Sequence, residues 1–249
     1  TSIDQSGHGT HVAGIAAGDG SETASFGEYA GIAPEADLVI VKASRDVGGG
    51  EFSQADQLVA LAFIDSVAQV LGQPYVANLS LGGHDGAHDG TSPVERFIDS
   101  VTGLGKPGKA VVTVAGNEGD EAIHAQADLS EQSPASVSFE IWCYVASVGG
   151  SKDYVSLNCW YDGGKIMGVK IRTPSGYTTS RALPGDVIEE TTSDGTIYVW
   201  NSFYQDGTSY NQGVNPFNGD REVYIQISDE TSTRPAEGTW QVEITGSSG

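Results

Sequence analysis

The sequence of 249 residues is poor in basic residues, in cysteine and in long apolar runs. Its 12 Lys and Arg stand against 33 Asp and Glu, which gives a net charge of −21. Nucleic acids and anionic membrane surfaces both attract basic proteins, so we expect neither as a partner. No run of about 18 apolar residues could cross a membrane. The acid excess suits a secreted or cell-surface protein.

Two cysteines are too few for a disulfide-rich scaffold. Cys143 and Cys159 each alternate with apolar residues, which predicts that both thiols lie on the apolar faces of strands. Two buried free thiols and one cross-strand disulfide both fit this pattern. We expect no metal at the cysteines, because neither has a His or a second thiol at ligand spacing.

The first half of the chain alternates strand and helix patterns. Ser53 with Asp56 resembles a helix N-cap pair, and Ser92 with Pro93 resembles another helix start. The pattern predicts strands at 38–41, 75–81 and 110–115, and helices at 53–71 and from Pro93 onward. The run at 38–41 is wholly apolar, which is typical of a strand covered on both faces. This order predicts a parallel α/β sheet with helices on both faces.

From about Ser136 the period of the apolar residues changes to two. The alternating runs are 137–145, 155–161, 169–172, 196–203, 223–227 and 240–244. Short strands separated by turn residues predict an antiparallel β-sandwich or jelly roll. We therefore expect an α/β domain at 1–133 and an all-β domain at 134–249.

The strongest motif is G-H-G-T-H-V-A-G at residues 7–14. Its small residues let a helix begin close to a neighbouring strand, with His8 in the first turn facing a cleft. A neutral imidazole there can accept the proton of a hydroxyl nucleophile. His11, one turn later, is expected to point into the structure. The alternative is two polar residues at the start of an ordinary helix.

Two further motifs follow predicted strands. Asn117 stands at the carboxyl end of a buried strand, where its side chain could donate to a developing oxyanion, although a turn Asn is the alternative. Ser80, Leu81 and Gly82 end another strand. An extended peptide could pair with this edge through main-chain hydrogen bonds, although a strand followed by a glycine turn also fits.

In this order, the three motifs resemble those of the subtilisin-like serine proteases, the subtilases. The segment 31–38 is also typical of that family, and the resemblance covers about residues 5–120. It implies that His8 is the general base and Asn117 the oxyanion-hole side chain. It also implies that Ser80, Leu81 and Gly82 form the substrate-pairing strand and part of the S1 wall, and that His11 is structural.

A subtype is suggested by residues 88–92, which resemble the clostridial germination-protease type of subtilase. Those proteins carry a jelly-roll domain between the oxyanion Asn and the catalytic Ser. The β-rich stretch after Asn117 stands where that inserted domain would be.

Two members of the family's Asp-His-Ser triad have no motif in the chain. Asp4 is too close to His8 to be the triad Asp, and it resembles the acid that opens the His motif. The nucleophile motif G-T-S-x-A-x-P is absent. The G-T-S sequence at 90–92 precedes Asn117 and is better explained as a helix N-cap with Pro at N1. The one at 207–209 is followed by Tyr210, Asn211 and Gln212 rather than by the small residues that a nucleophile helix needs. We expect an internal fragment, inactive by itself, whose first half exposes sheet edges and apolar surface.

The predicted function of the parent protein is therefore a serine endopeptidase acting on polypeptides. The alternatives are a catalytically inactive pseudoprotease and a metal hydrolase using His8 with His11 or the segment 84–89, both of which lack an H-E-x-x-H motif. No cofactor is expected with certainty, and the acidic loop Asp19–Glu28 is a candidate for structural calcium. The sequence predicts no oligomeric state.

Overall fold

Two units of the chain, each with its own core, are seen in a computed structural model. It describes residues 3–4, 6–22, 28–42, 53–128, 134–147, 153–205, 210–229 and 234–246. Unit 1 comprises Thr1–Gly83 and Pro93–Gly116, and unit 2 comprises His84–Ser92 and Asn117–Gly249. The domain boundary expected between 133 and 134 stays a prediction.

Unit 1 combines helices with a small parallel sheet. Its described elements are α1 (His8–Ala17), α2 (Gln54–Leu71), β1 (Tyr75–Leu79), α3 (Pro93–Val101) and β2 (Lys109–Thr113). Tyr75 lies opposite Lys109 and Leu79 opposite Thr113, so the two strands run parallel. The predicted parallel pairing is therefore confirmed.

The predicted helix starts are also confirmed. The Ser53 hydroxyl accepts the backbone N–H of Asp56 at 3.1 Å, and the Asp56 carboxylate accepts that of Ser53 at 3.3 Å. This reciprocal pair satisfies two backbone donors that the first turn leaves free. Pro93 is the first residue of α3, where its missing N–H costs nothing.

Helices cover one face of the β1–β2 sheet. Leu61 of α2, Ala77 of β1 and Val94 of α3 are the buried members of one apolar cluster. The opposite face carries Val76 and Val112, which are 69% and 51% exposed. The prediction of helices on both faces is therefore wrong for the described part of the chain, because none of its elements buries these valines.

The apolar run at 38–41 is not a strand. Leu38, Val39 and Ile40 are exposed, and the sheet of unit 1 holds β1 and β2 alone among the described residues. The prediction of a buried strand is wrong because an apolar run becomes a strand only where a neighbour satisfies its N–H and C=O groups.

Unit 2 is built from antiparallel strands. They are β3 (Ala135–Ile141), β4 (Tyr154–Asp162), β5 (Met167–Arg172), β6 (Val187–Thr192), β7 (Gly195–Asn201), β8 (Phe203–Gln205), β9 (Tyr210–Gln212), β10 (Asp220–Ser228) and β11 (Gly238–Gly246). The sheet orders are β4-β10-β7-β6, β3-β11-β5 and β8-β9. All six predicted strands are present, whereas β6, β8 and β9 were not predicted.

The two larger sheets share one core. Its fully buried side chains come from β5, β7, β10 and β11 and include Val169, Ile171, Val199, Ile225 and Trp240. Since successive strand residues point to opposite faces, every alternating run sends apolar side chains into this core, although Cys143 and Val145 at the end of the first run are exposed. None of the described helices combines the length and apolar character needed to cross a membrane.

The two cysteines lie in different environments, of which only that of Cys159 was predicted. Cys159 packs against the core, and burial raises its thiol pKa to about 11. Cys143 is exposed, two residues beyond the end of β3 at Ile141, so the prediction of its burial is wrong. Both thiols are free, which leaves the free-thiol alternative and removes the disulfide.

Candidate active site

His8 occupies the predicted position at the start of a helix. It is the first residue of α1, and its side chain is exposed. The N-cap Gly7 has a φ of 77°, a left-handed conformation that glycine adopts without steric cost. The local backbone therefore places the imidazole where solvent or a substrate can reach it.

Asp4 organises the backbone around this helix start. Its Oδ1 accepts the N–H of Gly7 at 2.9 Å and of Ser6 at 3.1 Å. Its Oδ2 accepts both the N–H and the hydroxyl of Thr10 at 2.7 Å. These donors, first the Thr10 hydroxyl, hold the pKa of the Asp4 carboxyl well below its usual range. The Asp4 carboxylate therefore holds the backbone on both sides of His8, at Ser6 and Gly7 before it and at Thr10 after it.

The C-terminal end of α1 is closed by the segment that begins at Gly31. The N–H groups of Gly31 and Ile32 donate to the carbonyl oxygens of Gly18 at 2.7 Å and Ile15 at 3.1 Å. A Cβ on Gly31 would lie 2.7 Å from the carbonyl oxygen of Gly14. Only glycine allows this approach, which satisfies carbonyl groups that the helix end leaves free.

His11 does not point into the structure as predicted. Its side chain is exposed, and Ala17 is the buried residue of α1. The prediction is wrong because the described residues of unit 1 place no core against this part of the helix.

The predicted peptide-binding residues follow β1 directly. Ser80 and Leu81 are half-buried and Gly82 is exposed. The Ser80 hydroxyl accepts a hydrogen bond from the Asn78 side chain at 3.0 Å. A Cβ on Gly82 would meet only the Val114 side chain, at 3.5 Å. The backbone at 82 is therefore open to an extended ligand.

Parallel pairing brings the ends of β1 and β2 to one edge of the sheet. The Val114 N–H donates to the Leu79 carbonyl oxygen at 3.2 Å, which continues the pairing past both strands. Ligands of parallel sheets collect at the carboxyl ends of the strands. Ser80–Gly82 therefore lie beside the chain that leads from β2 towards Asn117.

Asn117 follows Gly116, whose φ of 90° favours glycine. The Asn117 side chain is exposed, and its backbone N–H donates to Glu118 Oε2 at 2.8 Å. His84 Nε2 lies 3.7 Å from the same oxygen. The sequence analysis gave Glu118 no part in the site, although it directly follows the Asn.

Neither G-T-S sequence is placed by the structure as a nucleophile. Ser92 of the first one directly precedes α3, as a helix cap should, and residues 207–209 lie outside the described residues.

The predicted metal sites have no support among the described residues. Residues 23–27 of the Asp19–Glu28 loop lie outside these residues, so calcium there stays a prediction. No three His, Cys, Asp or Glu side chains that the structure describes could hold a metal together. The convergence of His8 with Asn117 stays a prediction.

Comparisons with known proteins bear on the same motifs. The model of the subtilase family matches residues 2–243. The chain is 40% identical over 118 residues to the major intracellular serine protease of Bacillus subtilis, and 32% identical over 117 residues to the intracellular serine protease of Paenibacillus polymyxa. Both alignments take in 47% of this chain, and they cover 31% and 30% of those relatives. The chain thus spans about a third of their length.

A solved structure extends the likeness over nearly the whole chain. The CspB protease of Clostridium perfringens is similar with a TM-score of 0.71 and 24% identity. The match covers 98% of this chain and 46% of that protein. At this identity the likeness shows the fold, including the β-rich second half.

Proposed function

The chain belongs to the subtilase family, and from that premise we propose that its parent protein is a subtilisin-like serine endopeptidase that hydrolyses peptide bonds of proteins. His8 is the general base and Asn117 the oxyanion-hole donor. The nucleophilic Ser and the triad Asp come from sequence outside these 249 residues. By itself the chain is inactive, because an imidazole without its hydroxyl partner has nothing to activate.

Each residue has one task in the reaction. His8 takes the proton of the serine hydroxyl as its oxygen attacks the peptide carbonyl, and returns that proton to the leaving amine. The carbonyl oxygen becomes an oxyanion, to which the Asn117 side-chain N–H donates. Ser80, Leu81 and Gly82 pair with the substrate backbone and form part of the S1 wall.

One observation carries this proposal above the others. The parallel pair β1–β2 continues to Leu79 and Val114, so the predicted peptide-binding residues lie at the carboxyl edge of a parallel sheet. Such edges are where α/β folds bind their ligands. His8 adds a reactive group that a substrate can reach, because its side chain is exposed. Asp4 fixes the backbone before and after it through hydrogen bonds to Gly7 and Thr10.

The proposal extends to the organisation of the parent protein. Residues 1–133 are part of the catalytic domain, and residues 134–249 are a jelly-roll or β-sandwich domain inserted after the oxyanion Asn. The two antiparallel sheets around one core support this assignment. We place the protein outside the cell or at its surface, with a structural calcium ion in the Asp19–Glu28 loop.

Labelling with a fluorophosphonate probe tests the proposal on the full-length protein. Covalent labelling that His8→Ala abolishes is the expected result, since the probe reacts with an activated serine. Asn117→Gly should reduce kcat by about 100- to 1000-fold with KM little changed, a magnitude measured in subtilisin itself. A folded protein that takes no label and cleaves no peptide would be a pseudoprotease instead.

A further inference from the structure

The outward face of the four-stranded sheet β4-β10-β7-β6 carries aromatic side chains. The strand register places Tyr224 of β10 between Trp200 of β7 and Asn158 of β4, so these three side chains share a face. Val223 and Ile225, the neighbours of Tyr224 along β10, are fully buried in the core. Since successive strand residues alternate between the two faces, Tyr224 and Trp200 point away from that core.

Three of these rings form a connected surface, which we call the aromatic row. Tyr198 stacks on Trp200 with ring centroids 5.4 Å apart, and Trp200 contacts Tyr224 in a tilted arrangement at 5.9 Å. All three side chains are half-buried, although the core on the other face of the sheet is closed. Large aromatic rings that stay partly in solvent are typical of binding surfaces.

The charged residues that share this face are all acidic. The outward positions of the four strands include Glu189, Glu222, Asp220 and Asp162, and none of these positions is a Lys or Arg. Glu189 lies opposite Tyr198 in the register and accepts its hydroxyl at 3.3 Å. Glu222 stands two residues before Tyr224 on β10. A carboxylate therefore adjoins each end of the aromatic row.

A further carboxylate of unit 2 acts on the Tyr224 end of the row. Burial is the first cause that raises the pKa of both Glu222 and Tyr224, and the charge of Asp85 raises both further. The Asn158 side chain donates to Glu222 Oε1 at 2.5 Å, which opposes the shift of Glu222, and it accepts the N–H of Gly86 at 3.2 Å. A cation bound beside the row would relieve the repulsion between these acids.

We propose that the aromatic row binds Lys- or Arg-rich segments of other polypeptides, with cationic side chains over Trp200 and Tyr224 and beside the carboxylates at its ends. A cation within about 6 Å of the centroid of a Trp or Tyr ring is attracted by the face of that ring. A second copy of the chain does not fit this face, because its 33 acidic residues against 12 basic ones would be repelled. The inference needs no catalytic residue, so it goes beyond the proposed function and does not depend on it.

The test measures binding of a peptide of alternating Lys and Gly to the full-length protein by fluorescence anisotropy. The peptide carries an uncharged fluorophore, and His8→Ala is the background, so that the protein does not cleave the peptide. The same peptide with acetylated lysines tests the role of the charge. An uncharged oligosaccharide, added as a competitor and as a ligand by itself, tests whether the rings bind a glycan instead.

Two variants of the central ring separate the ring face from simple apolar packing. Trp200→Leu and Trp200→Phe both keep an apolar side chain, but only Phe keeps a ring for a cation. Trp142→Ala is the control, because Trp142 is a 78% exposed Trp of the same unit that follows β3 and lies outside this sheet. Urea denaturation checks that each variant is folded.

A matched pair of charge variants separates local from overall attraction. Glu189→Gln removes a carboxylate at the row and keeps an oxygen for Tyr198. Glu243→Gln removes the same charge from β11, which belongs to the other large sheet.

We expect Trp200→Leu to weaken binding about 5- to 20-fold, and Trp200→Phe to stay within about threefold of the unsubstituted protein. Glu189→Gln should weaken binding about two- to threefold, acetylation at least about tenfold, and both controls less than about 1.5-fold.

Absence of binding overturns the proposal, and so does equal binding of the acetylated peptide. Equal effects of Glu189→Gln and Glu243→Gln, or of Trp200→Leu and Trp142→Ala, would show diffuse attraction to the net charge and overturn it as well. Binding of the oligosaccharide in place of the peptide would make the row a glycan site. Peptide cleavage is measured separately on the protein with His8 intact, and its failure would count against the proposed function alone.

Discussion

The two units of this chain differ in how completely they bury their apolar side chains. In the described residues, the core cluster of unit 2 has 13 buried members, whereas that of unit 1 has three. Trp240 and Ile225 of unit 2 are wholly inaccessible, while Ile32 and Val70 of unit 1 are 90% and 86% exposed. Unit 2 closes its own core, and unit 1 leaves apolar surface that its described residues do not cover.

The difference follows from the kind of sheet in each unit. Antiparallel strands with short connections pair with nearby parts of the chain, and two such sheets close a core between them. A parallel sheet needs helical layers on both faces, and the β1–β2 sheet has one. The exposed Val76 and Val112 agree with the expectation from the sequence that the first half exposes apolar surface.

The largest effect that sharpens this comparison is expected for Trp240→Ala. The ring is fully buried, stacks on Phe139 and donates its N–H to the Ala236 carbonyl oxygen at 2.9 Å. Its loss should cost about 3–5 kcal/mol of the free energy of unfolding of unit 2. The fluorescence of the other three Trp residues, all in unit 2, follows this transition during urea denaturation. A loss below about 1 kcal/mol would mean that the core of unit 2 is not closed.

A smaller effect is expected for Leu61→Ala in unit 1. Leu61 of α2 is buried in a cluster with Ala77 of β1 and Val94 of α3, but this cluster has few buried members, so the cavity can partly collapse. We expect a loss of about 2 kcal/mol, seen by circular dichroism at 222 nm because all described helices are in unit 1. Val70→Ala on the exposed side of α2 is the control and should change stability by less than about 0.5 kcal/mol. Equal losses at Leu61 and Trp240 would contradict the comparison.

In unit 1, hydrogen bonds of Asp65 also connect α2 to the β1–β2 sheet, and the variant Asp65→Asn tests how much they stabilise the unit. Asp65 Oδ1 accepts Lys109 Nζ at 2.6 Å and the Tyr75 hydroxyl at 3.1 Å, and Oδ2 accepts the Gln69 side chain. Lys109 is the main cause that lowers the pKa of Asp65 below its ordinary value of 3.8. The carboxylate therefore stabilises unit 1 above about pH 4 and loses this effect as the pH falls.

The variant should lose about 1–2 kcal/mol at pH 7, because one charge-assisted bond is lost. Denaturation at several pH values measures this, with the difference from the wild type shrinking below pH 4. A difference that is the same at pH 3 and pH 7 would show that the carboxylate charge is not what stabilises the link.

The smallest effect is expected for Glu222→Gln in unit 2. Burial raises the pKa of Glu222 above its ordinary value of 4.5, although the Asn158 bond opposes this shift. A raised carboxyl pKa means that the group favours folding below pH 4.5, and that this contribution is lost as the pH rises through the folded value. Gln has the same size and keeps an oxygen for Asn158.

Glu222→Gln should therefore stabilise unit 2 by up to about 1 kcal/mol at pH 7 and change it little at pH 3. Urea denaturation followed by Trp fluorescence measures both values. Destabilisation at pH 7 would show that the charge of Glu222, and not only its oxygen, supports the bond to Asn158.

Local patterns predicted much of this structure. The cap pair of Ser53 and Asp56 and the start of α3 at Pro93 depend on residues within one turn, so they were readable from the sequence. The alternating runs of unit 2 predicted six strands for the same reason. The edge strand β6 was missed, since Val187–Thr192 has two adjacent apolar residues followed by polar ones and no alternation. Strand β7 ends at Asn201 rather than 203, because the fully buried Ser202 adopts a φ of 66°.

By itself, the sequence determined the family motifs, the helix starts and the faces of most strands, because each depends on residues close along the chain. Tertiary structure alone decided which apolar runs find partners, as the exposed run at 38–41 and the half-covered β1–β2 sheet demonstrate. It also decided that Gly86 bonds to Asn158, 72 residues away. Such contacts form only when distant segments meet, and no local period or cap records that meeting.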